Sequence, residues 1–505
     1  MEGFQLILTF ILSLILLWSI KKKFMRPAAS KKNLPPSPPK LPLIGNLHQL
    51  SHLPHHDLLA LSRKYGSLML MHFGSVPVLV VSSPAAAQEI MKNQDLVFAS
   101  RPTYRVYRKL LYDCRGIIMA PYDEHWREMK SILVLQLLSN TKVKNSRFIM
   151  EEETTLFVQR IQESAGKPVN ITDMFSALSN DLICRSAFGK KYSDSEKGKK
   201  FLVLMAELME LVGSIEFSEF VPWLSWIGRV NGFDKKVDKV AKEMDEFLEG
   251  VIEERIQSLN GKDAKSKSGE NLLDLMIEIY NGNNSEHSIQ RDDLKPLVLD
   301  LIVAGTDTIS TCLDWTMVEL FRNPTTMEKL QREVRDIVKE KQEITTDDLE
   351  KMHYMKAVIK ESLRHHPPVT LIAPRQARKD TKVTGYDISA GTVVMVSPWA
   401  IGKHPSWDEP EKFKPERFLN SSIDYYGLNF ELIPFGSGRR KCPGITFAEV
   451  TMELLLANLM QKFNWKLPDA IEGKDLNMKE CTGLTVHRVD PLHVVATPSK
   501  YNSQH

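Results

Sequence analysis

Cysteine is scarce in this chain of 505 residues. The five cysteines are far apart in the sequence, odd in number and free of any C-x-x-C pair. This pattern excludes a disulfide framework and a structural zinc site built on cysteine pairs, and it favours a reducing compartment for the bulk of the chain. The five positions are Cys114, Cys184, Cys312, Cys442 and Cys481.

The chain also lacks an excess of charge of either sign, since 66 Lys and Arg residues stand against 63 Asp and Glu residues. Seven of the basic residues lie in one acid-free stretch between residues 21 and 40, which leaves 59 basic residues against 63 acidic ones elsewhere. Because this remainder is slightly negative, we expect no nucleic-acid partner. A composition with 43% apolar and 26% charged residues also excludes a disordered, collagen-like or polytopic membrane protein.

The N-terminus does contain a long hydrophobic run, 18 uncharged residues from Gly3 to Ile20. As a helix it would be about 27 Å long, which matches the hydrocarbon thickness of the endoplasmic reticulum bilayer. A cleaved signal peptide is the alternative, but it would need a basic segment before the run, whereas Glu2 precedes it and Lys21 to Lys23 follow. We therefore expect an uncleaved, single-pass anchor over residues 1–20 in the endoplasmic reticulum membrane, with the rest of the chain in the cytosol.

Residues 21–42 form a second distinctive segment, basic at first and then rich in proline from Leu34 to Pro42. Prolines favour a stiff extended spacer over a flexible tether, so this segment is predicted to be a hinge. Beyond it the sequence has no second linker of comparable length and no internal repeat. Residues 43–505 are therefore predicted to form one domain.

Apolar and β-branched runs bounded by turn residues predict only a few strands. One strand pair is expected over Leu68 to Phe73 and Val76 to Val81, and another over Val383 to Ile388 and Thr392 to Val396. Almost everything else has helical spacing, including a long apolar helix from about Asp293 to Phe321. The predicted fold class is mainly α with small β-sheets.

The most informative segment is the glycine-rich run FGSGRRKCPG, from Phe435 to Gly444, which precedes an apolar helical pattern. Its Cys442 follows a cation and lies just before a helix, and both influences lower a thiol pKa. Glycines permit a tight turn whose backbone N–H groups can point at the sulfur and tune a metal–thiolate bond. A turn with an incidental buried cysteine would explain one glycine and one cysteine, but not the whole string.

This string matches, position for position, the haem-binding signature F-x-x-G-x-R-x-C-x-G of the cytochrome P450 family. Glu361 to Arg364 (ESLR) resembles the E-x-x-R motif of that family, and Pro415 to Phe418 resembles its PERF segment. The three motifs occur in the expected order, and the resemblance covers essentially the whole chain. The N-terminal anchor, the proline hinge and Leu43 to Leu50 (LIGNLHQL) are similar to plant microsomal members, in particular the clan devoted to specialised metabolism.

The resemblance implies a cytochrome P450 fold and a b-type haem, iron protoporphyrin IX, with Cys442 as the metal ligand. Phe435 would pack over the sulfur side, and the thiolate would favour cleavage of the O–O bond of dioxygen. Glu361, Arg364 and Arg417 would form a buried network that locks the haem loop. A surface ion pair between Glu361 and Arg364 is the alternative for those two residues taken alone.

The resemblance also assigns four further residues to cofactor binding. Arg440 would pair with a haem propionate, and Arg375 occupies the position of another propionate-binding arginine. The W-x-x-x-R pattern of the family appears as Trp126 to Lys130, with lysine in place of the usual arginine. Lys130 can supply the charge but not a bidentate fork.

The long helix contains the run Ala304-Gly305-Thr306-Asp307-Thr308. Residues 304 and 308 share a helix face, and a mid-helix glycine costs about 1 kcal/mol unless something needs its space, which dioxygen could use. Taken alone, the run is compatible with a packed core helix. Because it resembles the acid–alcohol pair of the family, Thr308 and Asp307 are implied to be catalytic and to deliver protons during oxygen activation.

The implied reaction is a monooxygenation that inserts one oxygen atom from O2 into the substrate. A haem-thiolate dehydratase or isomerase that needs no O2, and a haem-binding scaffold without turnover, remain alternatives. The sequence contains no convincing strand–GxGxxG–helix unit for a flavin or nicotinamide. Electrons must therefore come from outside the chain. The resemblance implies that they come from NADPH through a membrane-anchored NADPH–cytochrome P450 reductase, docked by its acidic face near Arg439, Lys441 and Lys130.

The substrate is expected to be a lipophilic small molecule such as a terpenoid, a phenolic or coumarin, or an alkaloid precursor, since the segments that correspond to the pocket of the family are mostly apolar. Those segments are Thr103 to Ile118, Leu204 to Val212, Leu301 with Ala304, Val369 to Ala373, and Thr482 to Val486.

Three further polar features attract attention in the sequence. Asp300, one turn before Ala304, is expected to satisfy a neighbouring group, with orientation of a polar substrate group as the alternative. The His52-x-x-His55-His56 cluster and the pair His365-His366 are interpreted as surface histidines, because no acidic or cysteine companion lies near them in the sequence.

Overall fold

The computed structural model describes residues 13, 32–192, 196–214, 217–221, 226–259, 271–282, 289–339, 341, 343–481 and 483–499. Within these ranges the chain is mainly helical with small β-sheets, which confirms the predicted fold class. The predicted anchor over residues 1–20 lies outside the described residues apart from Ser13, and so does the basic segment before Lys32.

Helices account for the larger share of the secondary structure in the described part of the chain. In chain order, the α-helices are α1 Pro54–Tyr65, α2 Pro84–Gln88, α3 Arg105–Leu110, α4 Glu124–Ile132, α5 Asn140–Asn145, α6 Arg147–Glu163, α7 Ile171–Phe188, α8 Glu196–Gly213, α9 Phe217–Phe220, α10 Ile227–Val230, α11 Phe233–Leu259, α12 Leu272–Tyr280, α13 Arg291–Arg322, α14 Pro324–Val338, α15 Thr346–Lys351, α16 His353–His365, α17 Pro398–Gly402 and α18 Ile445–Lys462.

The strands of the described part form a four-stranded, a three-stranded and a two-stranded sheet, with the orders β1-β2-β7-β4, β3-β9-β8 and β5-β6. They are β1 Leu68–Phe73, β2 Val76–Val81, β3 Pro168–Asn170, β4 Arg375–Gln376, β5 Thr381–Val383, β6 Tyr386–Ile388, β7 Val393–Val396, β8 Phe463–Lys466 and β9 His493–Pro498.

Helix α13 has 32 residues and extends one or two residues beyond each end of the predicted helix. At its start, the Gln290 N–H donates to the Asp293 carboxylate at 3.1 Å. Its length and composition would suffice to cross a membrane, with a mean hydropathy of 1.4 over one window, but 67% of that window is buried inside the protein. A helix that is apolar on all sides belongs in a core, and α13 packs most extensively against α7.

Two apolar cores meet along α13. Its N-terminal half, up to Val303, packs with buried side chains of α8, α11 and α12. Its C-terminal half, from Ile309 onwards, packs with buried side chains of α6, α14, α16 and α18. The run at residues 304–308 therefore lies at the boundary between the two cores, where the helix is least enclosed by apolar neighbours.

The first predicted strand pair is confirmed, with Leu68 opposite Val81 and Phe73 opposite Val76. The second predicted pair is wrong. Thr384 and Gly385 have φ angles of 47° and 89°, so the chain turns back between β5 and β6 and these two strands pair with each other. Strand β7 instead lies parallel to β2 and antiparallel to β4.

The predicted network of Glu361, Arg364 and Arg417 is confirmed and buried. The Glu361 carboxylate accepts hydrogen bonds from Arg364 at 2.7 and 2.8 Å and from Arg417 at 3.0 Å. Arg364 also donates to the carbonyl of Pro410 at 2.9 Å and to that of Gly402. The network therefore ties α16 to the long irregular segment that follows α17. A surface ion pair is excluded because both members are fully buried.

Candidate active site

The segment from Phe435 to Gly444 forms a tight loop ahead of α18. Gly436 and Gly438 have φ angles of 68° and 69°, in the left-handed region. A Cβ atom at Gly438 would lie 2.2 Å from the carbonyl oxygen of Met91, so a side chain is sterically excluded there. The Cys442 N–H donates to the Phe435 carbonyl at 3.0 Å and closes the loop.

The thiol of Cys442 lies just before the N-terminus of α18 and is partly buried. Burial raises the pKa of this thiol, while the Gly444 N–H and the charges of Lys130 and Lys441 oppose that increase. Lowering influences are present, as the sequence indicated, but desolvation outweighs them and the net pKa is raised. The same three groups are nevertheless the ones that would stabilise a negative sulfur.

Arg440 belongs to this loop, is buried and donates to three backbone carbonyls. The acceptors are Ala99 at 2.7 Å, Ile117 at 3.1 Å and Ala120 at 2.6 Å. Its guanidinium carbon lies 4.1 Å from the ring centroid of Trp126, whose Nε1 donates to the Ile117 carbonyl at 3.0 Å. Arg440 and Trp126 are therefore brought together, as their assignment to one cofactor requires.

Arg375, at the start of β4, is fully buried. It donates to an Asp95 carboxylate oxygen at 3.1 Å and to the Ser437 carbonyl at 2.7 Å. Its Nε has no hydrogen-bond partner among the described residues. Lys130 reaches the same region from α4, where its Nζ donates to the Lys441 carbonyl at 3.0 Å.

Arg101 is a buried cation of this region that sequence reasoning missed. It donates to the Ile118 carbonyl at 2.9 Å, to the Pro374 carbonyl at 2.9 Å and to the Ala373 carbonyl. Its two contacts in residues 373–374 are more than 270 positions away in sequence. No local motif distinguishes this arginine, so only the folded chain reveals it.

The four cations lie close enough to affect one another. Burial, reinforced by neighbouring arginines, lowers the pKa of Arg440 to about 9 and that of Lys130 to about 8. Burial also lowers the pKa values of Arg101 and Arg375. Within the described ranges, Asp95 is the one carboxylate at ion-pair distance from any of the four. Because buried cations need anionic partners, the cluster fits a dianionic group such as haem, which carries two propionates.

The predicted oxygen-activating run lies in the middle of α13. The hydroxyl of Thr308 donates to the Ala304 carbonyl at 2.8 Å, within its own helix. A Cβ atom at Gly305 would lie 2.2 Å from the Cδ1 atom of Ile183 on α7. The expectation that the space beside Gly305 accommodates dioxygen is therefore wrong, because Ile183 occupies it and the glycine is needed for close packing of α13 on α7.

Asp307 is held by two residues near the C-terminus that sequence reasoning did not single out as site residues. Its Oδ2 atom accepts from the Thr485 hydroxyl and lies 2.9 Å from Nε2 of His487. Burial raises the pKa of this carboxyl, but the hydrogen bonds and charge of its partners outweigh burial and the net pKa is lowered. Asp307 is thus kept ionised beside Thr308.

A cavity of about 600 Å³ lies beside α13. Most of the predicted pocket segments contribute residues to this cavity. On α13, Val303 lines it in place of the predicted Leu301 and Ala304. The predicted Thr482 lies outside the described residues. The segment of residues 47–55, which the sequence did not indicate, also lines it. The lining comprises Leu47, Leu50, Ser51, His52, Leu53, Pro54, His55, Tyr104, Val106, Tyr107, Leu111, Ile118, Met119, Val212, Gly213, Ser214, Glu219, Phe220, Val303, Thr370, Leu371, Ile372, Ala373, Pro374, Met395, Gly483, Leu484 and Val486.

Asp300 satisfies neighbouring backbone groups, as expected. Its Oδ2 accepts from the N–H groups of Ile117 at 2.5 Å and Ile118 at 3.1 Å. A Cβ atom at Gly116 would lie 2.3 Å from the same oxygen, so the loop approaches the carboxyl closely. Burial raises the pKa of Asp300 to about 7, against the lowering effect of these hydrogen bonds.

The interpretation of the histidine clusters as surface residues is correct for His52 and His56, which are exposed. It is wrong for His55, His365 and His366, which are buried or largely buried, and acidic companions are present in the fold. His55 and His56 both bond to Glu480, with Nε2–Oε2 distances of 2.8 and 2.7 Å. His366 is largely buried and lies 2.8 Å from a carboxylate oxygen of Glu319. The acidic partners were missed because folding brings them from 424 and 47 residues away in sequence.

Comparisons with known proteins agree with this geometry. The family model described as Cytochrome P450 matches residues 35–493. The chain is 50% identical to Cytochrome P450 71A8 of Mentha piperita, over 96% of this chain and 95% of the relative. It is 45% identical to (+)-menthofuran synthase of Mentha piperita, over 98% of this chain and 99% of the relative. It is 46% identical to tabersonine/lochnericine 19-hydroxylase of Catharanthus roseus, over 93% of this chain and 94% of the relative.

Solved structures show the same fold. A zebra fish cytochrome P450 determined with abiraterone superposes with a TM-score of 0.73 at 23% identity, over 88% of this chain and 100% of that chain. Family match, relatives and fold converge with the Cys442 loop and the cation cluster: the chain belongs to the cytochrome P450 family and is a monooxygenase of that family.

Proposed function

We propose that Cys442 is the thiolate ligand of a b-type haem, with Phe435 packed on the sulfur side. The observation that carries this assignment is the cluster of buried cations around the Cys442 loop, which contacts a single carboxylate in the described part of the chain. When bound, a haem with a thiolate ligand supplies dioxygen binding and cleavage of the O–O bond. The side chains that would hold its propionates are Arg101, Trp126, Lys130, Arg375 and Arg440.

The experiment that tests this assignment is the spectrum of the dithionite-reduced carbon monoxide complex. We expect the red-shifted Soret band of thiolate ligation in the wild type and in Cys481→Ala, a control at another partly buried cysteine. Cys442→Ala should lose the band. Recovery of the band in that variant would overturn the assignment.

For proton delivery, the proposed catalytic residues are Asp307 and Thr308. Asp307 is ionised and held within the protein, and Thr308 presents its hydroxyl one residue further along α13. A positioned acid and alcohol can move protons from the interior toward the reacting oxygen. In this proposal the Asp307 carboxylate takes up a proton from its surroundings and passes it on toward Thr308.

The proposed substrate is a lipophilic plant secondary metabolite: a terpenoid, a phenolic or coumarin, or an alkaloid precursor. The cavity is lined mostly by apolar side chains, with few polar groups such as Thr370 and Ser214. Two relatives that cover nearly the whole chain are named for a terpenoid product, menthofuran, and for the hydroxylation of an alkaloid, tabersonine. Both names are compatible with an apolar cavity of this size.

A product screen tests the substrate class. Membranes that contain the enzyme and a reductase are supplied with NADPH, 18O2 and plant extracts or single terpenoids, phenolics and alkaloids. The expected product is a compound that has gained one 18O atom. Oxygenation confined to charged, water-soluble compounds would contradict the proposal.

The electrons are proposed to come from NADPH through NADPH–cytochrome P450 reductase. Arg439 and Lys441 lie just before Cys442 in the sequence, and the Arg439 side chain is half exposed, so they can meet an acidic partner surface. We further propose that residues 1–20 anchor the chain in the endoplasmic reticulum membrane, that residues 21–42 are the hinge, and that the catalytic domain of residues 43–505 faces the cytosol.

A further inference from the structure

His487 makes an unusually complete set of contacts with α13. Its Nε2 lies 2.9 Å from Oδ2 of Asp307 and 2.8 Å from the hydroxyl of Thr485. Its Nδ1 lies 2.9 Å from the hydroxyl of Thr311. Both ring nitrogens are therefore engaged, and about one third of the side chain is exposed (33%).

The hydrogen-bond contacts of His487 fit a doubly protonated ring. The Thr485 hydroxyl donates its one hydrogen to Asp307, and the Thr311 hydroxyl donates its one hydrogen to the Asp307 carbonyl at 2.7 Å. Both hydroxyl oxygens then act as acceptors toward His487. With these donors, each ring contact has a hydrogen when both ring nitrogens are protonated and the Nε2 proton is shared between Thr485 and Asp307, so that an imidazolium faces an Asp307 carboxylate.

The surroundings of the pair favour this charged state. Burial lowers the pKa of His487, but the hydrogen bond and charge of Asp307, with a smaller contribution from Asp314, outweigh burial and raise the net pKa. Asp314 lies on α13, and burial raises its own pKa. Among the described residues of the C-terminal segment, Cys481 interacts with Asp307 and Glu480, and Arg488 interacts with Asp314.

The segment that carries His487 has two faces. Leu484 and Val486 line the cavity, whereas Thr485 and His487 alternate with them and contact Asp307. The segment is fixed in place because the Trp315 Nε1 donates to the Val486 carbonyl at 2.9 Å. The same short segment therefore forms part of the substrate cavity and holds the acid that the proposed function needs.

We infer that His487 is the positioning residue that keeps Asp307 oriented and re-supplies its proton from solvent. In this step the proton on Nε2 moves to Oδ2, which leaves a neutral imidazole and a neutral carboxylic acid. Asp307 passes its proton toward Thr308 and returns to the carboxylate, and a water proton restores the imidazolium. The inference rests on the proposed role of Asp307.

The first test compares product formed per NADPH oxidised between pH 6 and 8.5, under identical reductase loading. We expect the wild-type ratio to fall as pH rises through the raised pKa of His487, because the neutral ring has no proton to give. His487→Gln keeps an N–H donor for Asp307 but does not titrate, so its ratio should be at least three-fold lower at pH 6.5 and independent of pH. His493→Gln, at an exposed histidine on β9, is the matched control and should behave as the wild type.

The second test does not depend on turnover. In the ferrous carbon monoxide form of protein labelled with 13C in its histidine rings, the signal absent from His487→Gln identifies His487. Its pKa should lie above the ordinary value of about 6.5 in the wild type and fall below it in Asp307→Asn, because burial would then be opposed only by the smaller contribution of Asp314. Where His487→Gln fails to bind haem, His487→Asn provides the assignment instead, so the measurement still decides the inference.

The outcomes separate the inference from the proposed function. If Asp307→Asn is uncoupled while His487→Gln keeps the wild-type ratio and pH profile, the inference is overturned and the role of Asp307 stands. If Asp307→Asn is itself fully coupled, the proposed role of Asp307 fails, and the inference fails with it. A His487 pKa at or below the ordinary value in the wild type, or unchanged in Asp307→Asn, would exclude the ion pair.

Discussion

Thr308 illustrates how one hydroxyl can serve both structure and chemistry. Its hydrogen bond to the Ala304 carbonyl is satisfied within the helix, yet it lies where the two apolar cores of the molecule separate. A threonine that only packed the helix could be replaced by alanine at little cost. A threonine that passes protons could not.

We predict that Thr308→Ala retains haem and substrate binding but oxidises NADPH with much less product and more released peroxide. General acid–base assistance typically contributes about 10²–10⁴-fold, so at least a ten-fold loss in product per NADPH is expected. Asp307→Asn should slow the same protonation. The ratio is measured under identical reductase loading.

Ser310→Ala is the matched control for this prediction. The Ser310 hydroxyl also donates to a carbonyl of its own helix, that of Asp307 at 3.0 Å, but Ser310 has no proposed catalytic role. It should stay coupled. Unchanged coupling in both Thr308→Ala and Asp307→Asn would show that residues 304–308 are only a packed helix, or that protons arrive by another route.

At the scale of elements, the contact between α13 and α7 depends on Gly305. We predict that Gly305→Ala lowers the free energy of unfolding by about 1–3 kcal/mol, because the new Cβ overlaps Ile183. In a double-mutant cycle, Gly305→Ala should cost less in an Ile183→Ala background, where the overlapping atoms are absent. Gly305→Ala could instead leave the free energy of unfolding unchanged and lower the product formed per NADPH. If Ile183→Ala did not restore that ratio, the result would favour a role of Gly305 in accommodating dioxygen.

A second contact between elements, from α13 to the loop of residues 116–118, depends on pH. The pKa of Asp300 is about 7 in the folded protein, against an ordinary value of 3.8. Between these values the folded state binds more protons than the unfolded chain, so the free energy of unfolding falls as pH rises, by up to about 1.4 kcal/mol per pH unit.

Asp300→Asn should remove this contribution and still accept both backbone N–H groups. Urea unfolding at pH 5, 6 and 7 measures the effect, and Asp292→Asn, at an exposed position of the same helix, is the control. An identical pH slope in the wild type and Asp300→Asn would show that Asp300 does not titrate in this window.

At the scale of the whole molecule, the proposed anchor of residues 1–20 and the proposed catalytic domain of residues 43–505 are distinct in composition. We predict that deletion of residues 1–23 weakens membrane association but leaves haem binding intact, because the contacts described above lie within residues 32–499. Membrane fractionation and the reduced carbon monoxide spectrum measure the two properties.

Protease added to sealed microsomes should digest the portion from Lys21 to His505, and full protection would contradict the cytosolic topology.

Contiguous motifs were enough to predict much of this protein from its sequence. The Cys442 loop, the pairing of Glu361 with Arg364 and the span of α13 each depend on residues close together in the chain. Local spacing determines a helix or a glycine-rich turn, so these features were accessible without a structure. The mainly helical fold class, confirmed by the structure, followed from the same periodicity.

Tertiary structure alone decided which distant groups meet. It placed Arg101 in the cation cluster, gave His55 and His56 an acidic partner in Glu480, filled the space beside Gly305 with Ile183, and joined His487 to Asp307. These contacts span 122 to 425 positions in the chain, and no local pattern encodes them. Burial also decided the direction of the Cys442 pKa, because the desolvation of a side chain depends on everything that packs around it.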